Sequence, residues 1–175
     1  MALNKTALKD NFKNLFSMTG DPTIYTKEYV AGKWKDFYHE YAQQAADPLG
    51  NGVLGMDEDA LYSKLLQAFS QYTPEDTVQK DPSITTNLIR EGIDGYWAGV
   101  TLDISNQPPG AAVPLANVVD STPGDLAFSG GPISDPDAGA VIISDMLHNK
   151  TTAVKTKFTY LDGMGNPGTY NGTLV

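Results

Sequence analysis

Apolar side chains recur at helical spacing through the first hundred residues of the chain. In the first such segment Leu8, Phe12 and Leu15 lie four and three residues apart, which is typical of an amphipathic helix. The pattern predicts four helices, over residues 3–18, about 26–46, from Asp57 or Asp59 to Thr73, and from Ser83 to about Gly99. The short polar side chains at the starts of the third and fourth helices are expected to cap free N–H groups.

The fourth predicted helix contains two glycines one turn apart, Gly92 and Gly95. Each weakens a helix by about 1 kcal/mol relative to alanine. We therefore expect that another main chain packs closely against this face, or that the helix bends there.

After Gly99 helical spacing gives way to short alternating runs separated by proline and glycine. The first elements predicted there are a strand over 100–104, a turn at Pro108–Gly110, a strand over 113–119 and a long loop over 120–139. A fifth helix follows, capped by Asp135 with Pro136 at its first position. The chain ends in a predicted hairpin with arms at 153–161 and 169–175. Together these elements predict an α+β fold. A bundle of three to four helices (residues 1–99) precedes a small antiparallel β unit with one helix and long irregular loops (residues 100–175), as a single structural unit.

The predicted C-terminal hairpin alternates strictly in its first arm. Thr156, Phe158 and Tyr160 share one face, and Lys155 and Lys157 share the other. The second arm runs to the last residue, so its strand either pairs within the domain or adds to the sheet of a neighbouring subunit.

The charge of the chain is unevenly distributed. The net charge of −9 divides into +1 for residues 1–45, −12 for residues 46–148 and +2 for residues 149–175. Such an acidic middle argues against wrapping a nucleic acid, since that binding depends on cations that replace counterions. An acidic middle is consistent with ordinary solubility, with binding to a basic partner, or with the wall of a channel that repels DNA. No apolar run is long enough to span a bilayer, and the N-terminus does not have the pattern of a signal peptide.

The sequence predicts no catalytic residue, no metal site and no cofactor. Cysteine is absent, which excludes disulfides, thiolate metal sites and thiol nucleophiles. Neither His39 nor His148 has a second histidine one turn away, and His148 is expected near Asp145 at a helix end. Three acidic clusters are expected to be helix caps or a turn rather than cation sites: Asp57–Asp59, Asp135–Asp137 and Asp162–Asn166.

Tyr96 and Trp97 close the fourth helix beside three glycines, where the chain becomes extended. Large aromatic side chains next to glycine pack against main chain. Two alternatives are open: a junction between the helical and β layers of one subunit, or an anchor between subunits.

A series of short motifs in residues 84–175 resembles a group of small virion proteins of tailed bacteriophages. The motifs are Tyr96-Trp97-x-Gly99, Pro108-Pro109-Gly110, Asn117-Val118-Val119, Pro123-Gly124, and a terminal helix followed by a threonine-rich β segment. The resemblance implies a ring-forming component of the neck or tail, without enzymatic activity, located in the virion after assembly in the host cytoplasm. It supplies no catalytic residues.

These observations lead to the hypothesis of a homo-oligomeric structural subunit, held together by residues 100–139 and by the C-terminal hairpin. Its partners would be other copies and other virion proteins, with no membrane and no sequence-specific nucleic acid, and its acidic middle would suit the lining of a DNA path. The predicted interface residues are Tyr96, Trp97, Pro108, Pro109, Val118, Phe158, Tyr160 and Tyr170. The alternatives are a carboxylate-dependent hydrolase, with a pocket of two converging acids and a raised carboxyl pKa, and a monomeric acidic adaptor or chaperone for a basic partner.

Overall fold

The computed structural model describes residues 3–18, 25–71, 82–120 and 135–175, with the main chain alone for residues 82, 113 and 115–120. Its helices are α1 (Lys5–Phe16), α2 (Lys27–Ala42), α3 (Glu58–Phe69), α4 (Pro82–Trp97) and α5 (Pro136–Thr152). Its strands are β1 (Val53–Leu54), β2 (Thr101–Leu102), β3 (Ala111–Asp120), β4 (Lys155–Asp162) and β5 (Pro167–Thr173). The α+β class and all five predicted helices are confirmed. Of the predicted loop over 120–139, residues 121–134 lie outside the described ranges, and the flanking residues belong to β3 and α5.

Helices α1 to α4 pack together around an aromatic cluster. The ring of Phe12 lies edge-on to that of Trp34, with centroids 4.8 Å apart, and Phe69 meets the indole from α3 at 5.5 Å. Helix α5 packs on α1, where Lys5 pairs with Asp145 at 2.7 Å. The helix of the C-terminal half therefore shares one core with the N-terminal helices.

Side-chain caps fix where four helices begin. Asn4, Thr26, Asp57 and Asp135 each accept a hydrogen bond from an N–H two or three residues further on. The predicted caps Asp57 and Asp135 are confirmed, with Pro136 at the first helical position. The predicted cap Ser83 is wrong because α4 begins at Pro82, whose fixed φ suits a first turn and whose missing N–H costs nothing there.

The two glycines of α4 face α3 at close range. A Cβ on Gly92 would lie 3.0 Å from Cβ of Lys64, and one on Gly95 would lie 3.2 Å from Cβ of Ala60. Of the two predicted explanations, close packing is the one found, since the missing side chains let α3 approach.

The strands form two antiparallel sheets. The short strand β1, which the sequence analysis did not predict, pairs with β2. The larger sheet has the order β3-β4-β5, so that β4 is central and Phe158 lies opposite Tyr170. Register irregularities interrupt β3 on both sides of Pro114.

The end of the chain is attached to the core. Leu174 is 1% exposed, and Val175 exchanges main-chain hydrogen bonds with Ala46 in both directions, at 2.9 and 3.3 Å. The end of the C-terminal strand therefore pairs within the domain. Its removal would also open the core.

Candidate interaction surface

Half of the predicted interface residues are buried inside the chain. Tyr96, Trp97 and Phe158 are each 0% exposed, and Pro108 is buried as well. For Tyr96 and Trp97 the structure therefore favours the junction within one subunit, since their side chains do not reach the surface in this conformation. Sequence periodicity could not decide this, because a core face and an interface face have the same pattern.

A buried chain of hydrogen bonds explains the position of Trp97. Its Nε1–H donates to Tyr38 Oη at 2.9 Å, and that hydroxyl lies 2.9 Å from Thr151 Oγ1. Because Thr151 itself donates to Leu147 O, the Tyr38 hydroxyl is the donor to Thr151. Burial raises the pKa of Tyr38 to about 12. The chain ties α2, α4 and α5 together at the centre of the fold.

His148 lies beside this junction, and its hydrogen-bond partner is a tyrosine. Its Nδ1 is hydrogen-bonded to Tyr41 Oη, whereas Asp145 pairs with Lys5. Partial burial lowers the pKa of His148, the positive charge of Lys5 lowers it further, and Asp145 raises it in part. His148 therefore lies near Asp145, as expected, but its hydrogen bond is to Tyr41 and links α5 to α2.

The other predicted interface residues lie on or near the three-stranded sheet. Pro109 is exposed at the turn before β3, and Tyr160 and Tyr170 are half-buried. The side chain of Val118 lies outside the described part, although its main chain pairs with Lys157.

Burial decreases along β4 from its start to its end. Thr156 and Phe158 are buried, but Thr159 to Asp162 are half-exposed on both faces. The ring of Tyr160 covers Gly168 on β5, where any Cβ would lie 2.4 Å from Tyr160 Cζ. The far half of the sheet, from Thr159 to Asp162 with the paired residues of β5, therefore lacks a covering layer among the described residues. It contains the predicted residue Tyr160, and Tyr170 borders it opposite Phe158.

The opposite face of the sheet carries basic side chains near the start of β4. Lys155 and Lys157 are exposed as predicted, and no carboxylate of the described residues lies within ion-pair distance of either. Thr169, Asn171 and Thr173 of β5 are exposed on the same face.

Two loops of the chain have the same sequence pattern and the same geometry. In the first, Asp47 Oδ1 accepts from the N–H groups of Leu49 and Asn51, and its Oδ2 accepts from Asn51 Nδ2, all at 2.9 Å. Gly50, at φ +87°, donates to Asp47 O, and the N–H of Asp47 donates to Asn51 O. Positive φ at this position favours glycine.

The second loop forms the tip between β4 and β5. Asp162 Oδ1 accepts from the N–H groups of Met164 and Asn166 at 2.8 Å, and Oδ2 accepts from Asn166 Nδ2 at 3.0 Å. Gly165, at φ +80°, occupies the position in this loop that corresponds to Gly50 in the first. The expectation that Asp162–Asn166 is a turn is confirmed. The shared signal, Asp-x-x-Gly-Asn, is visible in the sequence at both positions.

An open depression of about 630 Å³ lies at the start of α3. It is lined by Lys35, Gly55, Met56, Asp57, Glu58, Asp59 and Ala98. Asp57 caps the helix through Ala60 N, as predicted, and Glu58 lies 2.9 Å from Lys35 Nζ and 3.4 Å from His39 Nε2. Two of its three acids are therefore engaged in the fold.

His39 joins this depression to the core. Its Nδ1 lies 2.9 Å from Tyr96 Oη, and burial raises the pKa of Tyr96. Within the described ranges, the carboxyl groups with shifted pKa values all shift downwards, as for Glu91 beside Lys64 and Asp137 beside Lys13. No cluster of three metal-ligating side chains occurs among the residues described.

None of the helices described here is long and apolar enough to cross a membrane. No protein-family model, curated protein or solved structure matches this chain.

Proposed function

We propose that this protein is a non-enzymatic structural subunit of a bacteriophage virion, a ring-forming component of the neck or tail that assembles through the far half of its three-stranded sheet. The observation that carries the proposal is that this half has no covering layer and no further strand at either outer edge in the described part of the chain. An antiparallel sheet is normally covered on at least one face, and its unpaired edges are sites of strand addition.

The side chains of this surface suit contact between proteins. Tyr160 and Tyr170 present partly exposed aromatic rings, and Met164 at the tip is 88% exposed. Aromatic and methionine side chains are enriched at protein interfaces, and tyrosine buries large apolar area there at low entropic cost.

The charge distribution supports the same role. Residues 46–148 carry −12, and Asp57 and Asp59 are exposed at the start of α3. A ring whose inner wall carries such residues would repel DNA and let it pass without binding.

The experiment is a measurement of molar mass by size-exclusion chromatography with light scattering. We expect the wild type to give a discrete oligomer and the variant Tyr170→Ser to give monomers. Tyr62→Ser is the matched control, because it removes a tyrosine that is equally half-buried but lies on α3. Circular dichroism melting checks that both variants fold. A wild type that stays monomeric at every concentration, or an oligomer unaffected by Tyr170→Ser, contradicts the proposal.

The monomeric adaptor remains an outcome of the same measurement. A monomer that binds a basic protein would favour the adaptor. A hydrolase would use the depression at the start of α3, where Asp57 caps a helix and Glu58 is paired with Lys35 and His39. The structural subunit is the better-supported role, since two of these acids already have partners within the fold.

A further inference from the structure

The Asp47–Asn51 loop binds a peptide segment of its own chain. Asn51 Oδ1 accepts from the successive N–H groups of Ser105 and Asn106, at 3.0 and 2.7 Å, and Asn51 Nδ2 donates to Asn106 O at 2.9 Å. Asp47 and Asn51 are 1% and 0% exposed, so this is a buried recognition of main chain by one amide. Gly50 lies beside the bound segment, since a Cβ on it would be 3.5 Å from Asn106 Nδ2.

The hairpin tip carries the same loop with its binding side empty. Asn166 donates the same two hydrogen bonds to its aspartate as Asn51, and the N–H of Met164 donates the third as that of Leu49 does. No donor from the described residues reaches Asn166 Oδ1, and the Cβ position of Gly165 has no atom within 4 Å. Met164, which corresponds to Leu49, is 88% exposed, whereas Leu49 is half-buried. The tip is therefore a preformed loop of the same kind, to which no described residue binds.

We propose that Asn166 binds a main-chain segment of a second copy of this chain, accepting two successive N–H groups on Oδ1 as Asn51 does for residues 105 and 106. The inference deepens the proposed function and rests on it, because it names the contact through which subunits assemble. The loop is already ordered by its own hydrogen bonds, so binding would cost little conformational entropy.

Charge favours a second copy of this chain as the partner. Lys155 and Lys157 are exposed at the start of the hairpin that carries the tip, whereas residues 46–148 are net −12. Two copies therefore attract each other when the C-terminal part of one meets the middle of the next. Such a contact joins two different surfaces, and a heterologous contact of this kind closes into a ring when the rotation between copies allows it.

The test compares Asn166→Ala with Asn171→Ala by sedimentation equilibrium over a range of concentrations. Asn171 is an exposed asparagine of the same hairpin, and no described residue hydrogen-bonds its side chain. We expect Asn166→Ala to weaken association by about tenfold to a hundredfold, as for the loss of one or two hydrogen bonds. Asn171→Ala should associate like the wild type, and both should melt close to the wild-type temperature.

A second variant separates binding from the shape of the loop. Met164→Ser leaves the hydrogen bonds of the loop in place, because Met164 contributes only its main-chain N–H. We expect it to weaken association as well, since it removes the exposed apolar side chain of the tip. Wild-type association in both Asn166→Ala and Met164→Ser overturns the inference but leaves the proposed function standing if the wild type still assembles. A wild type that does not assemble overturns both.

Discussion

The hydroxyl of Tyr38 is expected to be worth about 2–3 kcal/mol to the stability of the fold. It accepts from Trp97 Nε1–H and donates to Thr151 Oγ1, and all three side chains are buried. Tyr38→Phe would leave the indole N–H unpaired in a space closed to water, which costs about 1–3 kcal/mol. Thr151 would keep its own donation to Leu147 O and lose only the hydrogen bond it accepts, which adds a smaller loss.

Urea denaturation followed by tryptophan fluorescence and circular dichroism measures this loss. Tyr62→Phe is the control, since Tyr62 is half-buried and its hydroxyl has no hydrogen-bond partner in the described ranges. The double variant with Thr151→Val should lose less than the sum of the single losses, by about 1 kcal/mol, because both changes affect one hydrogen bond. A loss for Tyr38→Phe no larger than that for Tyr62→Phe would refute the reasoning. It would also weaken the assignment of Trp97 to the inside of the subunit.

Two further predictions concern pH and packing. The pKa of His148 is lower in the folded chain than its ordinary value near 6.5, so the unfolded chain binds the proton more readily. The folded state therefore keeps its full stability above pH 6.5, and the free energy of unfolding falls as the pH decreases from 6.5 towards the folded pKa. His148→Gln should reduce the fall in melting temperature between pH 7.5 and about 5, a window above the carboxyl titrations, and an unchanged fall would contradict the assignment. Gly172→Ala should destabilise the fold by about 1–3 kcal/mol, because its Cβ would lie 2.7 Å from Pro48 Cδ. Gly32→Ala in α2 should instead stabilise by about 0.5–1 kcal/mol, as its Cβ position is open, and equal effects in thermal melts would show that the packing is misread.

The helices could be predicted from the sequence because their signals are local. The spacing of Leu8, Phe12 and Leu15 predicts α1. Asp135 followed by Pro136 predicts the first residue of α5 correctly. The hairpin of β4 and β5 was also predictable, since alternation and a glycine turn lie within one short segment.

Contacts between distant segments were not predictable in the same way. The pairing of Val175 with Ala46 depends on the arrangement of the whole fold, as does the bond between His148 and Tyr41. The binding of residues 105–106 by Asn51 joins segments more than 50 residues apart. The repeated Asp-x-x-Gly-Asn pattern is the one sequence signal that could have led to the tip, but the peptide-binding role of such a loop becomes visible only when an occupied copy can be compared with an empty one.

Cryo-electron microscopy of the particle formed by the full chain tests the central claim most directly. The account predicts a closed ring in which the hairpin tip of each copy lies against the next, with Asn166 at main chain of its neighbour. Isolated monomers, or a ring whose hairpin tips all face solvent, would contradict it.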